Sequence, residues 1–345
     1  MILHVIDSDF VYRGRLQNFK SLRWEERYNE KGKLTLVLDD TETNAAMIKK
    51  GCYFYRADRK TAMVAVDITR NGERSAITIG GYTSMHILDR RIIKGKLNVS
   101  NLESGMYAAV NENLRGLPFV SLAQSKGLTE SAELEFENAE MIKSLTEMCK
   151  AGDLGMRMRL DNANKTHVFE VFKGTDKAYV DGSGGVVFSS EFGNLANLTV
   201  EEDDELFKNV AIIKGVKNDE DETEFYREVG SAEGFERREI FVKANQQKND
   251  QTDAEYLSYL DSEGLKALQK HYEVLTFKAQ ISSGAWQKDY DLGDKVTCKS
   301  TRYGLRFDTR ITAFVETIEA GTQSVSLTLG EPTITFLQGA ILKNG

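Results

Sequence analysis

Alternating apolar and polar positions predict β-strands near both ends of the chain. Residues 34–40, "LTLVLDD", and residues 62–82, "AMVAVDITRNGERSAITIGGY", contain short runs rich in β-branched and apolar side chains. Asn71-Gly72 suits a tight type I′ turn, so residues 62–68 and 75–79 are predicted to pair as an antiparallel hairpin. Residues 324–329 alternate in the same way after Glu319-Ala320-Gly321, which favours a second hairpin.

The middle of the chain has a helical period instead. Residues 100–116 and 138–152 each place their apolar side chains on one helical face, and "GMRMRLD" and "HVFEVFKG" then alternate like strands. Ser100 or Asn101 is the expected N-cap of the first helix; Asn138 is that of the second, and Gly152 its end. A shorter helix is predicted to end at Gly51. The face of the second helix comprises Met141, Ile142, Leu145, Met148 and Cys149.

These segments predict an α+β fold that is mainly β. Residues 1–96 are predicted to form a first small β-barrel domain, because many short strands there are joined by one helical bridge. Residues 97–205 are expected to be an α+β domain. Residues 206–345 are predicted to form a second β-barrel, with a helical insertion near 250–272.

Composition identifies the general class of protein. The 345 residues are 41% hydrophobic and 28% charged, which is typical of a soluble globular chain. No apolar run approaches the roughly 20 residues of a membrane helix, so no membrane anchor is expected. The start "MILHVIDSDF" lacks secretory features, so we expect synthesis in a cytoplasm. Cys52, Cys149 and Cys298 are far apart, which favours small buried residues over disulfides or zinc ligands.

The charge balance argues against a surface built to grip nucleic acid. The formal net charge is -8, whereas proteins that bind nucleic acid normally present a basic face. Much of the negative charge is local, in residues 201–205, "EEDDE", and residues 218–224, "NDEDETE". Runs of this kind are usually solvated loops.

Known catalytic and cofactor-binding patterns do not match the sequence. It contains neither H-E-x-x-H nor G-x-S-x-G, and its glycine-rich loop around residues 182–185 precedes a strand-like segment, whereas a phosphate cradle precedes a helix. The histidines are scattered over four segments. We therefore predict no catalytic, cofactor-binding or metal-binding residues, no cofactor and no enzymatic activity. The four histidines are His4, His86, His167 and His271.

The stretch "KDYDLGDKVTC", residues 288–298, offers two interpretations. Asp289, Asp291 and Asp294 could surround a cation, but Leu292 interrupts the ligand alternation of a calcium loop and Ser300 stands where the closing glutamate belongs. A turn demands less, because Gly293 is conformationally permissive and aspartates bond to nearby amides. We predict a turn that leads into a strand.

The order of segments resembles that of a known group of proteins. Residues 14–40, "GRLQNFKSLRWEERYNEKGKLTLVLDD", followed by "MIKKGCYF" and residues 62–93, resemble the start of bacteriophage and prophage baseplate hub and tail-associated proteins, including the Siphovirus Gp37-like family. Residues 290–332, which open with "YDLGDKV", look like the last barrel of the same proteins. The resemblance covers roughly residues 1–335 and is one of pattern and order.

The resemblance implies a structural role in a virion, at the tail baseplate or tip. Such hubs carry two barrels in each chain, so that a homotrimer forms a ring of six barrels between the tail tube and the tip. Distal tail or tube proteins and tip or spike proteins would be the partners, and DNA would pass through the ring without specific binding. Acidic residues are expected to face that channel, where negative charge repels DNA.

Two other functions remain open at this point. Aromatic residues, Trp24 and Trp286 above all, could form a carbohydrate- or receptor-binding surface, although packing in a core is the commoner role of such residues. A peptidoglycan hydrolase would need an active site assembled from distant residues, which the sequence cannot show.

Overall fold

A computed structural model describes residues 1–73, 75–216, 224–249, 251–268, 271, 274–281, 288–302, 304–319 and 321–330. The fold is α+β and mainly β, as predicted. The chain divides into two compact units: Met1–Leu198 together with Lys278–Leu329, and a smaller unit that contains Thr199–Phe277. The predicted boundaries at residues 96 and 205 and the two closed barrels stay predictions.

The first third of the chain forms one antiparallel sheet. Its strands follow the order β3-β4-β7-β6-β5-β1-β2. The sheet is followed by a 3₁₀ helix, Ser84–Arg90. In chain order the elements are β1 Leu3–Ile6, β2 Tyr12–Leu16, β3 Ser21–Arg27, β4 Lys33–Asp39, α1 Glu42–Met47, β5 Tyr53–Tyr55, β6 Met63–Asn71 and β7 Ala76–Thr83.

Two helices and two small sheets follow within the same unit. The pair β8–β10 and the sheet β11-β12-β9 share one apolar core with both helices, and β9 is parallel to β12. Leu145, Met148 and Cys149 on the predicted face of α3 are fully buried in that core. The elements are β8 Lys96–Asn101, α2 Leu102–Asn113, β9 Val120–Leu122, β10 Ser131–Glu137, α3 Met141–Gly152, β11 Gly155–Asp161 and β12 Thr166–Phe172.

The remaining strands complete the first unit and build the second. Within the second unit, α4 covers one face of the three-stranded sheet β16-β15-β17. Among the described helices, none is both long and apolar enough to cross a membrane. The elements are β13 Val187–Ser189, β14 Leu195–Asp203, β15 Val210–Val216, β16 Tyr226–Val229, β17 Glu239–Gln247, α4 Asp253–Leu268, β18 Val274–Ile281, β19 Lys295–Ser300, β20 Leu305–Glu319 and β21 Thr322–Leu329.

Strand β20 belongs to two arrangements at once. Its first part pairs with β19, from Leu305 to Arg310, and β19 in turn pairs in parallel with β13. Its second part pairs with β3 on one side, from Ala313 to Glu319, and with β21 on the other. Strand β20, from the last part of the chain, is thereby hydrogen-bonded to the amino-terminal sheet.

The amino-terminal sheet is strongly curved. One core cluster contains buried residues from every strand from β1 to β7, together with Ile318 of β20. The carboxylate of Glu316 in β20 lies 2.6 Å from Arg56, which directly follows β5, and a flat sheet with this strand order would hold the two residues far apart. Trp24 of β3 is fully buried in this cluster.

The predicted helices and the predicted hairpin are present, but several of their ends differ from the prediction. The side chain of Asn101 caps α2, as the sequence indicated, but α3 begins after Glu140, not Asn138. Helix α1 ends at Met47 because Ile48 turns extended and is buried in the core, so the expected end at Gly51 is wrong. The β6–β7 hairpin exists, but Asn71 pairs with Ala76, so its connection is longer than a two-residue turn.

Candidate functional site

The aspartates of residues 288–298 lie at a turn that leads into β19. Carboxylate oxygens of Asp294 accept hydrogen bonds from the backbone N–H groups of Asp291 at 2.9 Å and Thr175 at 2.8 Å. Gly293 has a φ of 90°, the left-handed region that glycine tolerates. The turn that the sequence predicted is therefore confirmed.

The other two aspartates hold neighbouring segments to this turn. The carboxylate of Asp291 accepts a hydrogen bond from Leu292 N–H at 2.8 Å and pairs with Lys60 Nζ at 2.9 Å. Lys177 Nζ lies 2.8 Å from the carbonyl oxygen of Asp289 and 2.8 Å from the carboxylate of Asp294. The three acidic residues thus bind two lysines and backbone amides of their own unit.

A junction formed by Tyr28, Asp153, Gly293 and Arg310 lies against this turn, and we call it the Tyr28 junction. The Tyr28 ring is fully buried, and its hydroxyl donates to the carbonyl oxygen of Asp153 at 3.0 Å. A Cβ at Gly293 would lie 2.3 Å from that ring. Arg310 donates to the Asp153 carboxylate through Nε at 2.6 Å and also to the carbonyl oxygen of Gly293. Burial raises the pKa of Tyr28.

The Tyr28 junction joins four separate parts of the first unit. Tyr28 follows β3, Asp153 is the left-handed C-cap of α3, Gly293 precedes β19, and Arg310 is in β20. The Arg310 guanidinium lies 5.3 Å from the centre of the Tyr28 ring, within the range of a cation–π contact. The junction therefore fixes how the start of β19 and the middle of β20 meet α3.

A second group of charges, which we call the Glu316 cluster, consists of Glu316, Arg56 and Arg59, whose side chains are at most 7% exposed. Glu316 of β20 is 0% exposed and accepts from Arg56 Nη1 at 2.6 Å and Arg59 Nη2 at 2.8 Å. Gln323 Nε2 donates to its other oxygen at 2.5 Å, and Arg56 also pairs with Asp58. A buried carboxylate needs such partners, because an unpaired one would be strongly destabilising.

The contacts of the Glu316 cluster also show that the sheet is curved. Arg56 and Arg59 follow β5, and in the strand order β5 is separated from β20 by β6, β7, β4 and β3. Two side chains can bridge that separation only if the sheet bends back on itself. The cluster therefore joins two distant parts of one curved sheet.

The α+β part has a polar cluster of its own at Glu170. Arg157 Nε lies 2.6 Å from this carboxylate and Lys126 Nζ 2.9 Å. Burial alone would raise the pKa of Glu170, but the hydrogen bonds from Arg157 and Lys126 lower it to about 2. Glu170 therefore stays ionised and ties β11 and β12 to the loop before β10.

The four histidines lie in different places, and three of them are in contact with polar groups. His4 Nδ1 lies 3.4 Å from the Tyr12 hydroxyl, His86 Nδ1 lies 2.7 Å from the Asp89 carboxylate, and His271 Nδ1 lies 2.9 Å from the Ala267 carbonyl oxygen. Within the described part of the chain, no three His, Cys, Asp or Glu side chains are grouped so that they could hold a metal ion.

His167 differs from the other three. It is 1% exposed, its ring lies 4.5 Å from that of Tyr53 and 5.2 Å from that of Phe10, and neither ring nitrogen has a hydrogen-bond partner among the described residues. Burial lowers the pKa of His167 to about 4. The imidazole is accordingly neutral at pH 7.

The glycine-rich loop and the cysteines behave as the sequence indicated. Gly182 and Gly184 have positive φ, Val180 bridges to Gly184, and the loop leads into strand β13. It therefore lacks the helix N-terminus that a phosphate cradle uses. All three cysteines are buried and free of disulfides, as predicted.

The aromatic residues named as a possible binding surface do not form one in the described structure. Trp24 is 0% exposed, and its indole N–H donates to Glu26 at 3.0 Å. Trp286 lies outside the described residues. Tyr28, Phe54 and Phe314 are fully buried as well, whereas Tyr226 and Phe241 of the second unit are exposed.

Sequence reasoning missed the Tyr28 junction and the Glu316 cluster. The Glu316 cluster left one signal, since Phe314, Glu316 and Ile318 share a face of β20 and the outer two are apolar. An acidic residue at an inward position of a strand indicates a buried cation. The Tyr28 junction left no signal in the sequence, because its four residues, at positions 28, 153, 293 and 310, belong to separate segments. Both arrangements pair charges with each other and so hold strands in position.

Two comparisons with known sequences bear on the family. The sequence model of the Siphovirus ReqiPepy6 Gp37-like proteins matches residues 2–331 of this chain. Among curated protein sequences no match is found.

Solved structures show the same fold over nearly the whole chain. The tail protein from Neisseria meningitidis MC58 has a TM-score of 0.61 at 10% identity and covers 95% of this chain and 96% of its own. The 43 kDa tail protein of prophage MuSo2 from Shewanella oneidensis gives 0.60 at 13% identity, with 96% and 99% covered. Prophage tail protein gp18 from Listeria monocytogenes EGD-e gives 0.53 at 14% identity, with 99% of each chain covered.

Proposed function

The chain belongs to the family of Siphovirus ReqiPepy6 Gp37-like proteins, and from that premise we propose that it is a structural hub protein of the baseplate or tail tip of a phage, prophage or phage-like particle. The shared fold of three tail proteins, over at least 95% of this chain, supports a tail role. The charge clusters described above position strands, which is what a structural part requires. The protein's place is accordingly in the virion, after synthesis in the host cytoplasm.

The observation that best supports this proposal is that the two halves of β20 pair with different strands. A ring that joins a three-fold tip to a six-fold tube needs two similar modules in each chain, held at a fixed angle. One half of β20 pairs with β19 and the other half with β3, so a single strand links two sheet regions rigidly. We propose that these regions are the two barrels, and that three chains place six of them in a ring.

Such a ring would be closed by heterologous contacts, in which one face of each chain meets a different face of the next. Contacts of this kind form a closed ring when the rotation between neighbours divides a full turn. Distal tail or tube proteins would bind one side of the ring and tip or spike proteins the other. Acidic side chains would line its channel, where they keep DNA from adhering during passage.

The proposal is tested by the state of the purified full-length chain, alone and mixed with the distal tail protein of the same particle. We expect particles of three chains with six-fold-like density in negative-stain images and a matching mass by light scattering. A chain that stays monomeric with that partner present would contradict the ring. A channel lined mainly by lysine and arginine would contradict the acidic lumen alone.

The two alternative functions give different results in simple assays. Clearing of cell walls by the purified protein in zymography would identify a hydrolase and contradict a purely structural role. Binding to a glycan array would favour a receptor-binding module. Because Trp24 is enclosed in the core, a Trp24 variant that loses glycan binding would be judged first for loss of folding.

A further inference from the structure

Among its described strands, the second unit has an unpaired edge that carries an exposed phenylalanine. Among the described strands, β17 pairs with β15 alone, so its other edge is free. Phe241, in the middle of the strand, is 62% exposed, and Tyr226, on the same face but in β16 at the opposite edge of the sheet, is 49% exposed. An exposed edge strand with apolar side chains is a template for pairing with another strand.

The two faces of this sheet differ sharply. Ile240, Val242 and Ala244 of β17 pack under α4. Glu239, Phe241 and Lys243 alternate with them and point away from the helix, all exposed. Beyond residue 244 the backbone is engaged, since the Tyr256 hydroxyl donates to the carbonyl oxygen of Gln246 at 2.8 Å. The free edge is therefore the stretch 239–243.

The charges of the outer face are arranged unevenly along β17. At one end Arg237 pairs with both Glu228 at 2.9 Å and Glu239 at 2.6 Å, which leaves one negative charge in excess. At the other end Lys214 pairs with Glu224 at 3.2 Å, while Lys243 has no ion pair among the described residues. One end of the free edge is accordingly negative and the other positive.

We propose that β17 is a dimerisation strand, which pairs antiparallel with β17 of a second copy of this chain about a two-fold axis at Phe241. In that register the two-fold axis produces two equivalent pairs, each with Glu239 of one copy opposite Lys243 of the other. Phe241 of one copy lies opposite Phe241 of the other. Ile240 lies opposite Val242 on the helix-covered face. Opposite charges and aromatic pairs across neighbouring strands are stabilising, so the edge is complementary to itself.

This contact is separate from those of the proposed ring. A two-fold contact presents the same surface from both partners and cannot by itself make a three-membered ring. It would join two chains in the absence of other tail proteins, or two rings. A chain that lacks the β17 contact could therefore still form the hub, and a chain that forms no ring could still dimerise through β17.

Cysteine cross-linking of the full-length chain tests the register. Under mild oxidation, Phe241→Cys should form covalent dimers, whereas Glu239→Cys and Lys243→Cys alone should not, because each would lie two residues from the axis on opposite sides. The double variant Glu239→Cys/Lys243→Cys should cross-link again. The wild-type chain is the control, since its own three cysteines are buried. Equal cross-linking of every variant, or none for Phe241→Cys, would overturn the proposal.

Charge reversal gives an independent measurement that needs no covalent bond. In sedimentation velocity, Glu239→Lys or Lys243→Glu should weaken dimerisation by about tenfold, because two attractive pairs become repulsive in each dimer. The combination Glu239→Lys/Lys243→Glu should recover most of the loss. Glu233→Lys, the same charge change off the strand, should leave dimerisation unchanged. A wild-type chain that is monomeric at every concentration would refute the contact.

Discussion

At the scale of single residues, glycine is required at position 293 for two separate reasons. Its φ of 90° disfavours any side chain, and the buried Tyr28 ring occupies the space where a Cβ would be. Tyr28 in turn depends on Asp153 and Arg310 for its hydrogen bond and its cation. One position with no side chain therefore determines whether β3, α3 and β20 can meet.

Replacing Gly293 with alanine should destabilise the protein more than the same change at Gly182. Both glycines have a φ between 80° and 90°, but nothing lies within 4 Å of a Cβ at Gly182. The left-handed backbone alone costs about 1–2 kcal/mol, and the clash with Tyr28 should add about 1–3 kcal/mol. Urea denaturation measures both free energies of unfolding. Equal losses would mean that the Tyr28 ring moves aside.

His167 should make the protein less stable in acid. Its pKa is lowered to about 4 in the folded chain from an ordinary value near 6.5, so the unfolded chain binds its proton first. The contribution of neutral His167 to the free energy of unfolding is intact above pH 6.5. About 3 kcal/mol of it is lost as the pH falls to about 4.

The variant His167→Phe isolates this effect. It keeps an aromatic ring beside Tyr53 and Phe10 but cannot bind a proton. Between pH 7 and pH 4 it should lose about 3 kcal/mol less than the wild type in the free energy of unfolding, measured by urea denaturation. Parallel pH profiles for the two chains would show that His167 is not the group responsible.

At the scale of elements, β20 is the centre of the first unit. It is 15 residues long, pairs with β19, β3 and β21, and carries Arg310 of the Tyr28 junction as well as Glu316. The buried salt bridges of the Glu316 cluster stabilise the amino-terminal sheet in addition to its apolar core. Loss of these salt bridges should therefore destabilise the whole amino-terminal sheet.

The change Glu316→Gln should cost about 3–5 kcal/mol, because Arg59 would remain buried without its ion pair to Glu316, and Arg56 would keep only Asp58. The matched control is Glu135→Gln, which removes the exposed cross-strand partner of Lys96 and should leave the stability nearly unchanged. Thermal and urea unfolding measure both variants. Similar small effects would show that the arginines turn to other partners or to solvent.

At the scale of the whole molecule, each of the two units has its own apolar core. In the first unit, buried side chains fill the curved sheet and the α+β part, and in the second they lie between α4 and its three strands. Reactive groups are enclosed within these cores. Burial raises the pKa of Cys52 to about 11 and that of Cys298 to about 12.

The native protein should therefore resist thiol reagents. Reaction with DTNB at pH 8 should be negligible over minutes, because all three thiols are buried and burial keeps those of Cys52 and Cys298 protonated. In denaturant all three cysteines should react. Rapid reaction of one thiol in the native state, located by mass spectrometry of the labelled peptide, would reveal local opening around that residue.

The sequence alone determined the class of fold, most element types and the turn before β19. Periodicity, Asn101 and Gly293 act on their near neighbours, so local pattern is enough to identify the helices, the strands and that turn. The resemblance to phage tail proteins, carried by the order of segments, was also available from the sequence and is confirmed by the family match.

Only the tertiary structure decided which distant segments meet. The pairing of β20 with β3, the salt bridges of Glu316 to two arginines, and the contacts of Asp153 with Tyr28 and Arg310 join residues more than a hundred positions apart. Strand registers of this kind depend on how a sheet curves and which side chains then share its interior. No local pattern encodes that, because inward and outward positions alternate identically in every strand.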